Sequence, residues 1–438
     1  MIFLLVVAGL LLAEASAGIR SNAGSSSAAT SSASSIQTSL ASKSSTSLSV
    51  STSSALATVK YNLTVPAAFQ KNYTSLQQDL LTFSASLNSS QPASAHNTTF
   101  AAELLSANAN AGPSLLEPGA LQTVTDELNA LQSMGVQGVT VAIGFPTLYP
   151  TYQNSSQYLS FYESVAQMIH SRGMKLDVES SALFANSPFS PVKFNWSALP
   201  YSSYVTEHAQ MDQTIINDLK PDWLELGVEP DTEYSLTGYT QFSTPSGWSS
   251  YIESLLSGLQ KGTTKLAAGS ATWDGAQYIQ GFVTDPRLDA ISTHVYPVYG
   301  NTFSSLVQIA KEAEANGKPL IIDEAWETKS LGAEGTGGVA SDTSIFSRDA
   351  YGFWSPIDEL FLSDMAAFSR DYNVAYLSPF WSNLFFAYLD YGPSTTGLQY
   401  SQIQSLVDHA AATDMTAGLM SPTGAFYARL IDQYGQPG

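Results

Sequence analysis

The sequence contains no cysteine, so disulfide bridges, zinc–thiolate sites and cysteine nucleophiles are all excluded. Ionisable residues are also scarce: Asp, Glu, Lys and Arg make up 12% of the 438 residues, about half of the roughly 25% typical of soluble domains. Basic residues are the rarest of these, since 17 Lys and Arg stand against 37 Asp and Glu, and the formal net charge is -20. Phosphate backbones and anionic lipid surfaces repel a chain this acidic, so we expect no nucleic-acid partner.

Three signatures of other enzyme classes are missing. The five histidines show neither His-x-His nor His-x-x-x-His spacing, which argues against a metal-dependent hydrolase. The Gly-x-Ser-x-Gly elbow of α/β-hydrolase esterases does not occur. The glycine-rich stretch 332–338 lacks the Lys-Ser/Thr of a phosphate-binding loop, and because it follows a predicted strand directly, we interpret it as a mobile lid over a cleft. We therefore expect neither a metal nor another cofactor.

The N-terminal part of the chain reads as export and linker sequence. Residues 1–17 combine a short apolar run with Ala15-Ser16-Ala17, which predicts a signal peptide, with an uncleaved N-terminal anchor as the alternative. Residues 18–58 are nearly all Ser, Thr and Ala, a composition that predicts a disordered linker. We therefore expect a secreted or cell-surface protein with no membrane insertion beyond that anchor. Sequons for N-glycosylation occur at Asn62, Asn72, Asn88, Asn97, Asn154 and Asn195.

Two folded regions are predicted after the linker. Residues 59–95 form a helical extension, with one helix over 65–87. Over residues 96–438, short apolar runs alternate with amphipathic stretches, which indicates repeated βα units. Eight such units predict an α/β fold of the (β/α)8 barrel type, and the lack of a Gly-rich phosphate turn disfavours a doubly wound open sheet. The predicted strands are 100–105, 138–143, 174–179, 223–229, 265–269, 288–296, 319–324 and 374–381.

Two glutamates stand at the ends of predicted strands that face each other across such a barrel. Residues two apart share a strand face, so Glu229 should point inward with Glu225 and Gly227, and Glu324 inward with Ile322. The 95 residues between Glu229 and Glu324 match about three βα repeats of roughly 30 residues. A facing pair of carboxyl groups is what glycoside hydrolysis requires, one to protonate the leaving oxygen and one to attack the sugar.

Further side chains are expected at the same mouth of the barrel. By strand parity, His294 and Tyr296 come from the sixth strand and Trp381 from the eighth. Trp326, just past Glu324, and Glu179, at the end of the third strand, are candidate substrate contacts. Glu103, Glu179 and Glu225 could instead be buried core acids, and Asp323, of the opposite parity to Glu324, is expected to be structural.

Gly-Val-Glu-Pro at 227–230, His-Val-Tyr at 294–296 and Ile-Ile-Asp-Glu at 321–324, set in the eight-unit rhythm, resemble clan A of the retaining glycoside hydrolases. The resemblance spans residues 96–438 and does not single out one family. It implies that Glu229 is the acid/base, Glu324 the nucleophile and Trp381 the platform under the sugar, and that His294 and Tyr296 fix the nucleophile. One position departs from the clan, which has Asn immediately before the acid/base where this chain has Val228.

The functional expectation is a retaining enzyme that cleaves β-glycosidic bonds of oligo- or polysaccharides by double displacement, with a carbohydrate as its partner. Sugar, linkage and oligomeric state are left open by the sequence. The alternative is a non-catalytic surface protein that binds glycans in a glycosidase-like cleft, which the linker and Val228 both motivate.

Overall fold

The computed structural model of the chain describes residues 57–87, 98–298, 300–331, 334 and 343–436. The predicted signal peptide or anchor, residues 18–56 of the predicted linker, and the predicted lid apart from Glu334 lie outside the described residues. No helix among the described residues is long and apolar enough to cross a membrane.

Eight parallel strands form a closed barrel in chain order, so the predicted (β/α)8 fold is confirmed. Their cores are short and rich in Val, Ile, Leu and Ala, as expected of strands buried on both faces. The barrel strands are β2 (Thr99–Glu103), β3 (Gly138–Ala142), β4 (Lys175–Glu179), β5 (Trp223–Glu225), β6 (Lys265–Gly269), β7 (Ala290–Val295), β8 (Leu320–Ala325) and β9 (Val374–Pro379). Most fall within a residue or two of the predicted ranges, but β5 ends four residues before Glu229.

Helices pack around the barrel and bury their apolar faces against the outward side chains of the strands. They are α2 (Ala120–Ser133), α3 (Ser155–Ser171), α4 (Tyr201–Thr214), α5 (Pro230–Thr237), α6 (Pro245–Gly258), α7 (Thr302–Ala315), α8 (Thr343–Phe346), α9 (Ser355–Asp371), α10 (Tyr400–Ala417) and α11 (Pro422–Tyr434). The last of these, α11, is the C-terminal helix of the barrel.

The barrel interior has two layers of different chemistry. A small apolar cluster fills one layer, with one side chain from each of six strands: Ala101, Trp223, Ala267, Ala290, Ile321 and Tyr376. Acidic side chains that are at most 3% exposed occupy the barrel strands nearer their C-terminal ends: Glu103, Asp177, Glu179, Glu225 and Asp323. Burial raises the pKa of each of these carboxyl groups, that of Asp177 to about 8, so protonation removes much of their mutual repulsion at neutral pH.

The direction of side chains on β8 differs from the simple alternation that the sequence suggests. Leu320 and Ile322 belong to the apolar core that the helices share with the barrel, whereas Ile321 belongs to the barrel interior. The register of β8 against β7 and against β9 shifts before Glu324, so Asp323 and Glu324 both face inward. The predicted inward position of Glu324 is therefore found, but its alternation with Ile322 and the outward direction of Asp323 were wrong.

The N-terminal extension lies on the outside of the barrel. Ala57 and Thr58, assigned to the linker from sequence, form a short strand (β1) that pairs in parallel with Leu419–Met420 (β10). The predicted extension helix is found as α1 (Gln70–Ser86). Its Phe83 ring stacks on Phe303 of α7 at 4.1 Å between centroids, which fixes α1 to the outer layer of helices.

Candidate active site

Glu229 lies beyond the end of β5, at the residue that precedes α5. The chain reaches this position through Gly227, whose φ of 151° is strained for any residue with a side chain. A Cβ at Gly227 would also lie 2.7 Å from the ring of Trp248, so both backbone and packing require glycine here. Because Pro230 begins α5 immediately afterwards, the backbone turns at Glu229 and leaves its side chain at the mouth of the barrel.

Glu324 lies on β8, and its carboxylate is held by a tyrosine from the neighbouring strand. The Tyr296 hydroxyl donates a hydrogen bond of 2.8 Å to Glu324 Oε2. Burial raises the pKa of Tyr296 well above its usual value, so this hydroxyl keeps its proton and remains a donor. Glu324 is 4% exposed and Glu229 8% exposed, which leaves both carboxyl groups largely shielded from bulk water.

His294 lies between the two glutamates and brings them together. Its Nδ1 is 2.8 Å from Glu229 Oε1 and 3.5 Å from Glu324 Oε2. The two carboxylate oxygens are therefore no further apart than the sum of these distances, 6.3 Å. Retaining glycosidases hold their carboxyl groups about 5–5.5 Å apart and inverting enzymes about 6.5–9.5 Å apart, and this bound on one pair of oxygens is compatible with the retaining separation.

The environments of the two glutamates shift their pKa values to different extents. Burial raises the pKa of Glu229 to about 8, and a hydrogen bond with Thr232 opposes that rise. Burial and the nearby charge of Glu229 raise the pKa of Glu324, whereas a charged His294 and hydrogen bonds with Glu179 and Tyr296 lower it; the two hydrogen bonds act even when His294 is neutral. More interactions thus favour the ionised form of Glu324 than that of Glu229, so Glu229 is the better proton donor and Glu324 the better nucleophile.

Two more carboxyl groups approach the other ring nitrogen of His294. Its Nε2 lies 3.7 Å from Glu179 Oε1 and 3.6 Å from Asp323 Oδ1. If Glu229 is protonated, it donates to Nδ1, and the proton of the neutral imidazole is then on Nε2, facing these two acids. Burial lowers the pKa of His294, which supports the neutral form.

The same residues include a set that could hold a cation. One ligand atom each from Glu179, His294 and Glu324 lies within 4.8 Å of the others. Imidazole and carboxylate are ligands that Zn²⁺ accepts. Acid–base glycoside chemistry needs no metal, however, and an ion bound here would occupy Glu324.

A cavity opens over the glutamate pair, and its walls come from the loops after several barrel strands. Glu179, Glu229, His294 and Glu324 line it together with a group not identified from sequence: Asn110, Ala142, Gly144, Ser181, Ala182, Phe184, Thr232 and Glu233. Glu225 and Val228 complete the lining. Val228 is 2% exposed and presents an apolar surface at the position where a hydrogen-bonding residue was expected.

The two tryptophans predicted to contact substrate, Trp381 and Trp326, are buried outside the cavity lining. Trp381 follows β9, is 3% exposed and packs edge-to-face on Phe380, with 5.1 Å between ring centroids. Trp326 is 1% exposed and packs against Phe385 at 5.9 Å between centroids. Neither is among the described residues that line the cavity, so their role in substrate binding stays a prediction. The parity argument for Trp381 was wrong, because Tyr376 faces the barrel interior and Leu377 the helices.

Glu233 is one of the polar lining residues that sequence reasoning missed, together with Asn110, Ser181 and Thr232. Glu233 is 2% exposed; its carboxylate accepts hydrogen bonds from the Ala182 backbone N–H at 2.6 Å and the Tyr204 hydroxyl at 2.8 Å. It therefore anchors the loop after β4 to α5. Pro230 is a residue type that often begins a helix, and Glu233 lies four residues after Glu229; this spacing is a signal that could have identified it.

No protein-family model and no curated protein matches this sequence. Solved structures with the same fold exist at low identity. An exo-beta-1,4-mannosidase from Opitutaceae bacterium strain TAV5 superposes with a TM-score of 0.52 at 14% identity, over 76% of this chain and 59% of that one. A GH5_18 variant from Bifidobacterium longum subsp. longum, in complex with Manb1-4GlcNAc, gives 0.51 at 14% identity over 78% and 80% of the two chains. The unsubstituted GH5_18 structure from the same organism gives 0.50 at 15% identity.

These structures share the fold of the chain, a (β/α)8 barrel. The low identity does not single out one family, as expected from the sequence. Fold alone does not establish chemistry, so the assignment of activity depends on the glutamate pair.

Proposed function

We propose that the protein is a retaining glycoside hydrolase that cleaves β-glycosidic bonds of oligo- or polysaccharides by double displacement. The observation that carries the proposal is the pair of buried glutamates, Glu229 and Glu324, whose nearest oxygens share one nitrogen of His294. The solved structures of similar fold include glycosidases, which agrees with the proposal without establishing it.

In the first step, Glu324 attacks the anomeric carbon while Glu229 gives its proton to the departing glycosidic oxygen. This forms a glycosyl ester on Glu324 and leaves Glu229 ionised. In the second step, Glu229 takes a proton from a water molecule, which attacks the same carbon and releases Glu324. Two inversions at one carbon give net retention of its configuration.

Tyr296 and His294 have supporting roles in this scheme. The hydrogen bond from Tyr296 orients the Glu324 carboxylate and stabilises its charge before attack. His294 contacts Glu229 at 2.8 Å, which fixes the position of the acid/base between the two steps. Burial of the pair strengthens both interactions, because few water molecules compete for them.

We also propose that the protein acts outside the cell or at its surface. The motivation is the apolar run and small-residue site in residues 1–17, followed by the Ser/Thr-rich segment to residue 58. Expression with and without residues 1–17, followed by assay of the culture medium, tests this directly. Equal retention of both forms inside the cell would contradict it.

The activity is tested with a panel of aryl β-glycosides and β-linked polysaccharides. Wild type should turn over at least one of them with retained anomeric configuration in the product, read by NMR. Glu324→Gln should abolish turnover, because an amide cannot act as the nucleophile. Glu229→Gln should lose about a hundredfold or more on substrates with poor leaving groups. Glu253→Gln, on the exposed face of α6, is the matched control and should leave the rate unchanged.

Three results would decide against the proposal. Turnover that survives Glu324→Gln removes Glu324 as the nucleophile. An inverted product rules out double displacement. Binding of glycans by wild type without any turnover favours the alternative, a non-catalytic glycan-binding protein, for which Val228 at the expected Asn position is the supporting observation.

A further inference from the structure

Asn110 lies in the cavity wall, and only one end of its side-chain amide is hydrogen-bonded to the protein. It is 4% exposed and lines the same cavity as Glu229 and Glu324. Its side-chain Oδ1 accepts a hydrogen bond of 2.8 Å from the Phe184 backbone N–H. No acceptor for its Nδ2 is present among the described residues. A donor in a cavity wall that no protein group uses is available to a ligand or to water.

The orientation of this amide is fixed by its neighbours. A backbone N–H can only donate, so the atom facing the Phe184 N–H must be the carbonyl oxygen of Asn110, and the NH₂ group points away from it. The backbone N–H of Asn110 is bound to Asn108 Oδ1 at 3.0 Å, and its carbonyl accepts from Ser190 Oγ at 2.9 Å. Three hydrogen bonds therefore hold the residue in place, and the free donor is preorganised.

A series of hydrogen bonds connects Asn110 to the end of a barrel strand. Asn108 Nδ2 donates a hydrogen bond of 3.1 Å to Glu103 Oε1, at the end of β2. The loop that carries Asn110 is thus attached to the barrel rim on one side and to Phe184, in the loop after β4, on the other. A donor held this way keeps a constant position relative to the two glutamates.

We propose that Asn110 is a substrate-binding and specificity-determining residue, whose Nδ2 donates a hydrogen bond to a hydroxyl of the sugar held over Glu229 and Glu324. This inference deepens the proposed function and rests on it. A sugar hydroxyl both accepts and donates, and Glu179 Oε1, which is buried and without a hydrogen-bond partner in the described part of the chain, is an acceptor in the same cavity.

The proposed hydrogen bond from Asn110 matters because residue 228 is a valine. Val228 lines the cavity and offers no hydrogen bond from its side chain, so hydroxyl recognition must come from other polar residues of the wall. The amide of Asn110 has the right chemistry, because it supplies a neutral donor among several acids. We therefore expect the enzyme to discriminate strongly against a substrate that lacks the contacted hydroxyl.

The test uses the full-length protein and the aryl β-glycoside that wild type cleaves fastest, with its set of monodeoxy analogues. Asn110→Asp keeps the acceptor for the Phe184 N–H and removes the donor, so the loop should stay folded, which a thermal melt checks. It should lower kcat/KM on the parent glycoside by about ten- to a hundredfold. On the one deoxy analogue that lacks the contacted hydroxyl, the kcat/KM values of wild type and Asn110→Asp should agree within about twofold, because neither protein can make the hydrogen bond there.

Two further variants complete the design. Asn110→Ala removes the donor without adding charge and should show the same dependence on that one hydroxyl. Asn129→Asp makes the same substitution on the exposed surface of α2 and should leave kcat/KM unchanged on every substrate. An equal loss on the parent and on all deoxy analogues would overturn the proposal and assign Asn110 a structural role.

The outcome stays informative if the proposed hydrolysis fails. In that case, binding of the methyl β-glycosides and their deoxy analogues to wild type and Asn110→Asp is measured by ligand-observed NMR. If Kd depends on the same single hydroxyl and no turnover occurs, the result would support the Asn110 contact and reject the proposed hydrolase activity. Equal affinities of the two proteins for every glycoside would reject the contact alone, and no binding of any glycoside would reject both.

Discussion

The hydrogen bond between Tyr296 and Glu324 makes a quantitative prediction about the pH dependence of the reaction. A phenol hydroxyl 2.8 Å from a carboxylate is a charge-assisted hydrogen bond, which contributes roughly 1.5–3 kcal/mol. This energy favours the ionised form of Glu324. Tyr296→Phe removes it and should therefore raise the pKa of Glu324 by about 1–2 units, at roughly 1.4 kcal/mol per unit.

The consequence for catalysis has a definite sign. Glu324 attacks only when ionised, so the acidic limb of the kcat/KM profile should move to higher pH by the same 1–2 units, and the rate in the plateau should fall roughly ten- to a hundredfold. The basic limb, which reports loss of the proton from Glu229, should stay near its pKa of about 8. The assay is the pH profile of kcat/KM on an aryl β-glycoside with wild type and Tyr296→Phe.

Packing at this position should survive the substitution. The Tyr296 ring contacts Trp273 at 6.2 Å and Phe380 at 6.5 Å between centroids, and a phenylalanine ring retains both contacts. Tyr388→Phe is the matched control, because the Tyr388 hydroxyl donates to Asp358 at 2.9 Å in an equally buried setting away from the glutamate pair. An acidic limb that does not move in Tyr296→Phe, or that moves equally in Tyr388→Phe, would refute the reasoning.

Two predictions concern stability. Burial raises the pKa of Asp177 from 3.8 to about 8, so the folded protein retains a proton that the unfolded chain releases across that interval. The free energy of unfolding should therefore fall as pH rises from about 4 to 8, by up to about 1.4 kcal/mol per pH unit for this group. Urea titrations at pH 5 and 7.5 measure the slope, which Asp177→Asn should reduce; an unchanged slope in the variant would contradict this. Lys329 is fully buried and bonded to Asp358, so Lys329→Met should cost roughly 3–5 kcal/mol by leaving a buried carboxylate without its cation. Lys261→Met, which breaks a partly exposed pair, should cost less than about 1 kcal/mol, and equal losses in the two variants would count against the argument.

The sequence predicted the barrel because each strand is a short apolar run between amphipathic helices, a pattern visible in the order of apolar and polar residues along the chain. Glu229 and Glu324 could be identified for the same reason, since both follow such runs. The direction of Asp323 could not be predicted, because the shift in the register of β8 is set by pairing with two neighbouring strands. The alternation of residues along one strand does not show how that strand pairs with its neighbours.

The positions of the loop residues in the site could not be predicted from the sequence for a different reason. Asn110 and Phe184 are 74 residues apart and meet because the loops after β2 and β4 cross at the barrel mouth. Strand alternation does not extend to Trp381, because β9 ends at Pro379. Contacts between loops depend on tertiary structure, which local patterns do not encode.

The pairing of β1 with β10 has a consequence for mechanical load. If the segment before Ala57 tethers the protein to a surface, a pull on the molecule enters at this short parallel ladder and at the bond from the Val59 N–H to the Met420 carbonyl, 2.9 Å long. The force then passes to the chain just before α11, and α1 separates it from the first barrel strand. Under such a load, β1 would have to separate from β10 before the pull could reach β2 along the chain.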